Sequence, residues 1–303
     1  HFYNRVVAFQ PYSYDGGVTN IAVDSILDGP DLDEPMGDKG SPAGIANFKN
    51  VPLMNGGVHE DDVIQGATDD CYMMAMLAAL AREQPGLLDR LVLDLGDGTY
   101  AVRFYQNGNP VYVRVDADFW VASNGNPYYA HLNGALWPLV VEKAYAFFRE
   151  KKGSYASIEY GNGTIDDPAW GLTKDGFPAS TATPPVSQAQ VQAWYAAGHQ
   201  PGTIANQINA ANTAMLNWVA ARVAESKPLT TGGLGSLSNT PDLGDSSWRR
   251  GQHIYAIDDV HRDSNGNPDG LILRNPYTTT RLTLTDATVL YYNVGRAGWL
   301  MIP

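Results

Sequence analysis

A single cysteine, Cys71, occurs in the 303 residues, within the run QGATDDCYMMAMLAALARE. A lone thiol cannot form an internal disulfide, so its reactivity and its packing are the two properties to weigh. Cys71 precedes a stretch with strong helix formers and almost no polar face, which predicts a buried helix over Cys71–Glu83. A cysteine at such a helix start meets unpaired backbone N–H groups and the positive end of the helix dipole, both of which favour the nucleophilic thiolate. Asp69 or Asp70 suits the N-cap, yet their charges oppose a thiolate, so a cationic partner is required. The alternative from this stretch alone is a buried core cysteine, because free cysteine is among the most buried residue types.

A second group with chemistry lies far downstream. HIYAIDDV and LILRN alternate as strands and are joined by the turn-forming run HRDSNGNPDG. Pairing them as a hairpin centred near Ser264 sets Ile257 opposite Leu271 and His253 opposite Asn275. Directly opposed residues bring their Cβ atoms within about 5 Å. An amide oxygen that accepts one ring N–H turns the other imidazole nitrogen toward a nucleophile. Standing alone, His253 would read as a surface histidine on an edge strand.

The remaining elements must position these residues. YAVRFY and VYVRVDADF, separated by QNGNP, predict a β-hairpin, and LWPLVVEKAYAFFREKKGSY predicts a helix ending in basic residues and a glycine. Glu142 and Lys143 fall on what reads as that helix's solvated edge. Further helices are expected over about Ser187–Ala197 and Ile204–Glu225. TTGGLGSLSNTPDLGDSSWRRGQ reads as a flexible loop, and HIYAIDDV, LILRN, TRLTLT, VLYYNV and GWLMIP read as strands. The class is α+β. The expected organisation is an irregular arm over 1–60 laid over the core, a helical lobe over 61–160 and a β-rich lobe over 161–303.

Hydrophobic residues at 44% indicate a folded chain, and a net charge of −12 argues against nucleic acid or an anionic membrane surface as partner. No run approaches the ~18 apolar residues of a membrane span. The chain opens at His1, so a processed or excised piece is expected, soluble, with any targeting segment absent. Compartment and oligomeric state stay open. His131, His199 and His261 lack the spacing of a zinc site and read as surface residues. GDGTY and NGNPY are turns, because no helix start with Lys and Ser/Thr follows.

Taken in order, four segments resemble the calpain family of cysteine peptidases. QGATDDCYMMAMLAALA looks like the segment in which Gly-Asp-Cys-Trp opens the central helix. LWPLVVEKAYAFF resembles the Glu-Lys-Ala-Tyr helix, GQHIYAIDDV the Gly-His-Ala-Tyr strand, and LILRNPY the Arg-Asn-Pro-Trp segment. The hairpin YAVRFYQNGNPVYVRVD occupies the equivalent place. The resemblance covers roughly Asp62 to Tyr277 and implies a papain-like, two-lobe fold with the active site between the lobes. It implies Cys71 as nucleophile, His253 as general base and later acid, Asn275 as the residue orienting the imidazole, and Gln65 with the Cys71 N–H as oxyanion hole. The His253 imidazolium would be the cation that the aspartates call for. The substrate implied is a polypeptide, cleaved through an acyl-enzyme. Other readings are a binding module that retains the cleft, and a transacylase using the same acyl-enzyme.

Three positions depart from the family pattern. Asp69 stands for its glycine, which matters if that position needs positive φ, and Tyr72 and Tyr277 stand for its tryptophans. Animal calpains bind calcium in both lobes, which makes calcium a candidate activator, although the chemistry itself requires no cofactor. No metal ligands carry over residue by residue. DSNGNPDG and DLDEPMGD offer oxygen ligands without matching the EF-hand pattern.

Overall fold

A computed structural model describes residues 32–106, 108–149, 153–159, 171–172, 179–180, 186–198, 200–233, 253–285, 287, 290–291 and 299–301. Expectations for QPYSYDGG, His199, most of Gly161–Pro185 and the loop from 234 to 252 lie outside the described residues. The chain divides into two compact units. One groups residues up to 81 with 85–176, and the other groups 82–84 with 177–303.

In the first unit, α1 (Cys71–Glu83) is buried from Cys71 through Ala81, as its unbroken apolar surface requires. The helix α2 (Trp137–Phe148) carries proline in its first turn, where a missing N–H costs nothing. It packs on a three-stranded antiparallel sheet of β2 (Val92–Asp94), β3 (Thr99–Gln106) and β4 (Asn109–Asp116). Phe104 of β3 stacks on Phe148 at 4.6 Å between ring centroids and touches Tyr145 at 5.8 Å. The expected hairpin is present, with Gln106 paired to Asn109 and Gly108 at positive φ in the turn. A small second sheet pairs β1 (Gly44–Asn47) with β5 (Asp118–Val121). The sequence reading missed β1 and β2, so this unit is less helical than it anticipated; such short strands have too few residues to show a period of two.

The described part of the N-terminal segment is tied to this unit by side chains. Leu32 N–H donates to Asp116 Oδ2, Trp120 Nε1 to the Pro35 carbonyl, and the Tyr129 hydroxyl to the Lys39 carbonyl. Asp38 accepts from the Ser154 hydroxyl at 2.6 Å and from Ala156 N–H at 3.0 Å. Lys143, expected at a solvated edge, is instead fully buried. Its ammonium donates to Glu34, to Asp116 Oδ1 at 2.7 Å and to the Asp118 carbonyl at 2.7 Å. Burial pushes the Glu34 carboxyl up to about 8 against the pull of Lys143. A buried ammonium needs this many acceptors to offset its lost hydration.

The second unit is a six-stranded antiparallel sheet in the order β10–β9–β8–β7–β11–β6: Arg281–Leu284, Pro268–Arg274, His253–Arg262, Leu229–Gly233, Trp299–Met301 and Ala179–Ser180. Beside it run α3 (Gln188–Ala196) and α4 (Thr203–Ala224). Met215, Leu216 and Val219 of α4 pack into a core with Tyr255, Ile257, Val260, Leu271 and Leu273. Two expectations fail here. Leu229–Gly233 is a strand rather than the start of a loop: β8 pairs along its whole length, glycines included, and β11 pairs with Leu229–Thr231 on the other side. Leu290 and Tyr291 form part of a helical turn rather than a strand, and the Tyr291 hydroxyl exchanges hydrogen bonds with the backbone of Val186.

Replacing Lys143 by methionine would leave Asp116 buried without its cation. A loss of roughly 3–5 kcal/mol is expected, in the range for breaking a buried pair, and a urea titration of the full chain would read it as a lower midpoint.

Candidate active site

Cys71 is the first residue of α1. The preceding carbonyl, that of Asp70, accepts from Met73 N–H at 2.8 Å and Met74 N–H at 3.1 Å, which makes Asp70 the N-cap. The thiol is buried, 4% exposed, so burial alone does not separate a nucleophile from a core residue.

Gln65 is held by the segment before the helix. His131 N–H donates to the Ile64 carbonyl at 2.8 Å and Ala67 N–H to the Tyr128 carbonyl at 3.1 Å, clamping residues 64–67 against 128–131. The fit is so close that a Cβ on Gly66 would lie 1.3 Å from the Tyr129 carbonyl oxygen. Glycine is required here for space, not for its φ. The Gln65 side chain is buried and its Nε2 donates to the Thr68 carbonyl at 2.7 Å. Only a nitrogen can face that carbonyl, so the amide's orientation is set, and the second N–H of the same group is directed elsewhere.

Local geometry bears on the departures from the family pattern. Asp69 has no positive φ, because Ser226 is the one described non-glycine residue that does. The aspartate therefore carries no backbone strain. The Tyr72 ring is buried and its hydroxyl donates to the Ile158 carbonyl at 2.6 Å while accepting from Arg149 at 2.7 Å. Its polar tip is satisfied inside the first unit.

In the second unit, His253 opens β8 and is 4% exposed. Its Nε2 lies 2.9 Å from Asn275 Oδ1. The pair forms, but by a different register from the one expected. Ile257 pairs with Leu273 rather than Leu271, Ala256 pairs with Arg274, and Leu271 pairs with Val260. A bulge at Asp258 absorbs one residue, and its buried carboxylate accepts from Arg281 Nε at 2.8 Å. Carried one step beyond β9, this register sets Asn275 level with Tyr255. His253, two residues away on the same face, is then a diagonal neighbour, still within reach of a side chain.

Asn275 Oδ1 also accepts the Tyr277 N–H at 3.1 Å. An atom that accepts a backbone N–H is the amide oxygen, so the facing His253 Nε2 must be the donor. The imidazole is thereby held as the Nε2–H tautomer, with the lone pair on Nδ1. The ring stacks on Tyr277 at 5.4 Å and 10° and meets the edge of Tyr255 at 4.9 Å and 88°. Tyr277 thus covers one face of the imidazole, as an aromatic ring of any kind could at that spacing.

Of the groups of acidic residues among the described residues, Glu34, Asp116 and Asp118 come nearest to a hard-cation site, their oxygens lying within 4.8 Å of one another. Lys143 already donates to this set. Asp263 spends its oxygens on Asn265 and Asn267 within its own turn. These donors do not fit calcium as they stand. His131 and His261 belong to no such group; His261 Nδ1 lies 2.6 Å from Asp269. Sequence reasoning missed Glu142, which is buried and accepts the Ala130 N–H at 2.8 Å. A break in the apolar face of α2 was its only signal.

Gly66→Ala is expected to force residues 64–67 away from 128–131. Overpacking of this kind costs on the order of 1–3 kcal/mol, and hydrogen exchange at Ala67 and His131 would rise accordingly.

Comparisons with known proteins bear on this arrangement. Residues 42–283 match the family described as "Calpain family cysteine protease". Over 152 residues, 44% of the chain, it is 25% identical to a protein of Porphyromonas gingivalis (strain ATCC BAA-308 / W83) named "Thiol protease". The match spans 31% of that protein's length. Among the described residues no helix is long and apolar enough to cross a membrane.

Proposed function

The chain belongs to the calpain family of cysteine proteases, and on that premise we propose that it is an endopeptidase of papain-like, two-lobe fold, with Cys71, His253 and Asn275 as catalytic set and Gln65 in the oxyanion hole. The observation that carries the reading is the 2.9 Å contact between His253 Nε2 and Asn275 Oδ1, because it leaves Nδ1 as the basic nitrogen. A thiol needs that geometry in its base.

In this reading the reaction requires Cys71 Sγ within hydrogen-bond reach of His253 Nδ1. The imidazole takes the thiol proton, and the sulfur attacks the carbonyl carbon of a bound polypeptide. Negative charge moves to the carbonyl oxygen, which accepts from the Cys71 N–H and from the second N–H of Gln65 Nε2. As the first residue of α1, Cys71 has no carbonyl four residues back within the helix to receive its N–H. The imidazolium returns its proton to the leaving amine, and an acyl-enzyme remains. Water then attacks that thioester while His253 Nδ1 accepts its proton, the new carboxyl product leaves, and the proton passes to the departing sulfur. The imidazolium also offsets the negative charge of Asp69.

Labelling by an epoxide-type cysteine-peptidase inhibitor, read by intact mass with and without calcium, tests the reading. One adduct on Cys71 is expected, lost in Cys71→Ser and slowed in His253→Ala by roughly 10²–10⁴, the usual worth of a positioned general base. Peptide turnover by Gln65→Ala is expected to fall by roughly 10²–10³, as for other oxyanion-hole donors. A folded chain that takes no label in either condition would instead be a binding module.

A further inference from the structure

Asp70 caps α1 through its carbonyl and is 0% exposed; Glu142, midway along α2, is 1% exposed. Each carboxyl is a close electrostatic neighbour of the other. Two ionised carboxylates carry no donor between them, so a hydrogen bond across this pair requires a proton on one of them. Glu142 Oε2 is occupied by the Ala130 N–H at 2.8 Å. Among the described residues, no group donates to either Asp70 oxygen or to Glu142 Oε1, and all three atoms are buried.

The surroundings favour keeping that proton. Besides Glu142, Asp69, just before α1, and Glu159, beyond the turn at Ala156–Ile158, act on Asp70, and both are acids. Of the buried phenols, Tyr72 and Tyr155 feel the charge of Asp70, and Tyr129 and Tyr155 that of Glu142. Tyr155 also feels the charge of Glu34 from the N-terminal segment. The cations close by are committed elsewhere: Arg149 to the Tyr72 hydroxyl and Lys143 to Glu34, Asp116 and Asp118. Burial pushes the Asp70 carboxyl up to about 8 and Glu142 in the same direction.

We propose that Asp70 and Glu142 share one proton and that this pair is the positioning element of Cys71, fixing the capped end of α1 and keeping one negative charge, rather than two, beneath the sulfur. When the proton passes to solvent, two buried carboxylates repel each other. Asp70 is driven from its place, its carbonyl leaves the Met73 and Met74 N–H groups, and the added charge opposes the thiolate. For its rate readout the inference rests on the peptidase reading; its spectroscopic readout does not.

The folded state holds a proton that the unfolded chain releases above its ordinary carboxylate range, so stability falls as pH rises from about 4 towards 8. Glu142→Gln supplies the shared hydrogen permanently, at the same charge, and its oxygen can still accept the Ala130 N–H. Asp70→Asn does the same from the other side. The test follows the full chain and both variants by infrared spectroscopy, thermal melting and epoxide labelling across pH. Expected in the wild type is a carboxylic C=O stretch at neutral pH that disappears near pH 8, with labelling then falling by about tenfold per pH unit. Glu34 absorbs in the same region, so the variants should show that band reduced by one carboxyl, melt with a flatter pH dependence, and keep labelling where the wild type loses it. A neutral-pH band undiminished in both variants, or an alkaline fall unchanged in both, overturns the proposal. Absence of labelling at every pH would sink the peptidase reading instead, while the band would still decide the pair.

Discussion

Burying α1 on every side leaves the backbone N–H groups of its first turn as the part of the helix whose hydrogen bonds the helix itself cannot satisfy. The whole first unit is arranged around that end. The Asp70 carbonyl receives two of these groups, and the Asp70 side chain is turned into the interior against Glu142. The segment carrying Gln65 is clamped to residues 128–131, and Ala130 N–H in turn bonds Glu142. One carboxyl on α2 is thus linked to the helix start on one side and to the support of the glutamine on the other. A helix with polar sides could be shifted without much cost. This one is enclosed, so its first residue is placed to within the tolerance of a packed core.

The second unit solves a different problem, that of holding an imidazole in one tautomer. A ladder pair would do this only if Asn275 belonged to β9, and it does not. The asparagine sits just past the strand, where the Tyr277 N–H reaches back to its side-chain oxygen and fixes the amide. The ring of Tyr277 then lies over the imidazole. Two consecutive functions, orienting the amide and covering the ring, come from one turn. The bulge at Asp258 sets which residues of β8 face that turn, and Arg281 on β10 secures the bulge through the Asp258 carboxylate.

Buried charge recurs through the first unit in a consistent form. Lys143 is surrounded by three acceptors, Arg149 by a phenol and the packing of its ring, and Asp70 by a second acid. The first two cases compensate charge with opposite charge or dipoles. In the third, as proposed above, the pair avoids charge by retaining a proton, which costs less where no cation among the described residues donates to it.

The apolar run after Cys71, the hairpin around Gln106 and Asn109, the long helix α4 and the strands β8 and β9 were all legible in the sequence, because each shows its period over enough residues to be read locally. Cys71, Gln65, His253 and Asn275 were legible as a set only through their resemblance to a known family. Tertiary structure decided the rest. The register of β8 against β9 depends on a bulge that no local pattern announces, and the His253–Asn275 contact formed as a diagonal pair rather than the facing pair expected. Glu142 and Lys143 looked like a solvated edge because polar residues on a helix usually are one. Only packing against the N-terminal segment, the 128–131 loop and the start of α1 buries them. Sequence by itself determined which groups are present to do chemistry, since residue type is written there directly. Which nitrogen carries the proton, and which carboxyls must keep one, depends on partners brought together from distant parts of the chain, and those only the folded structure supplies.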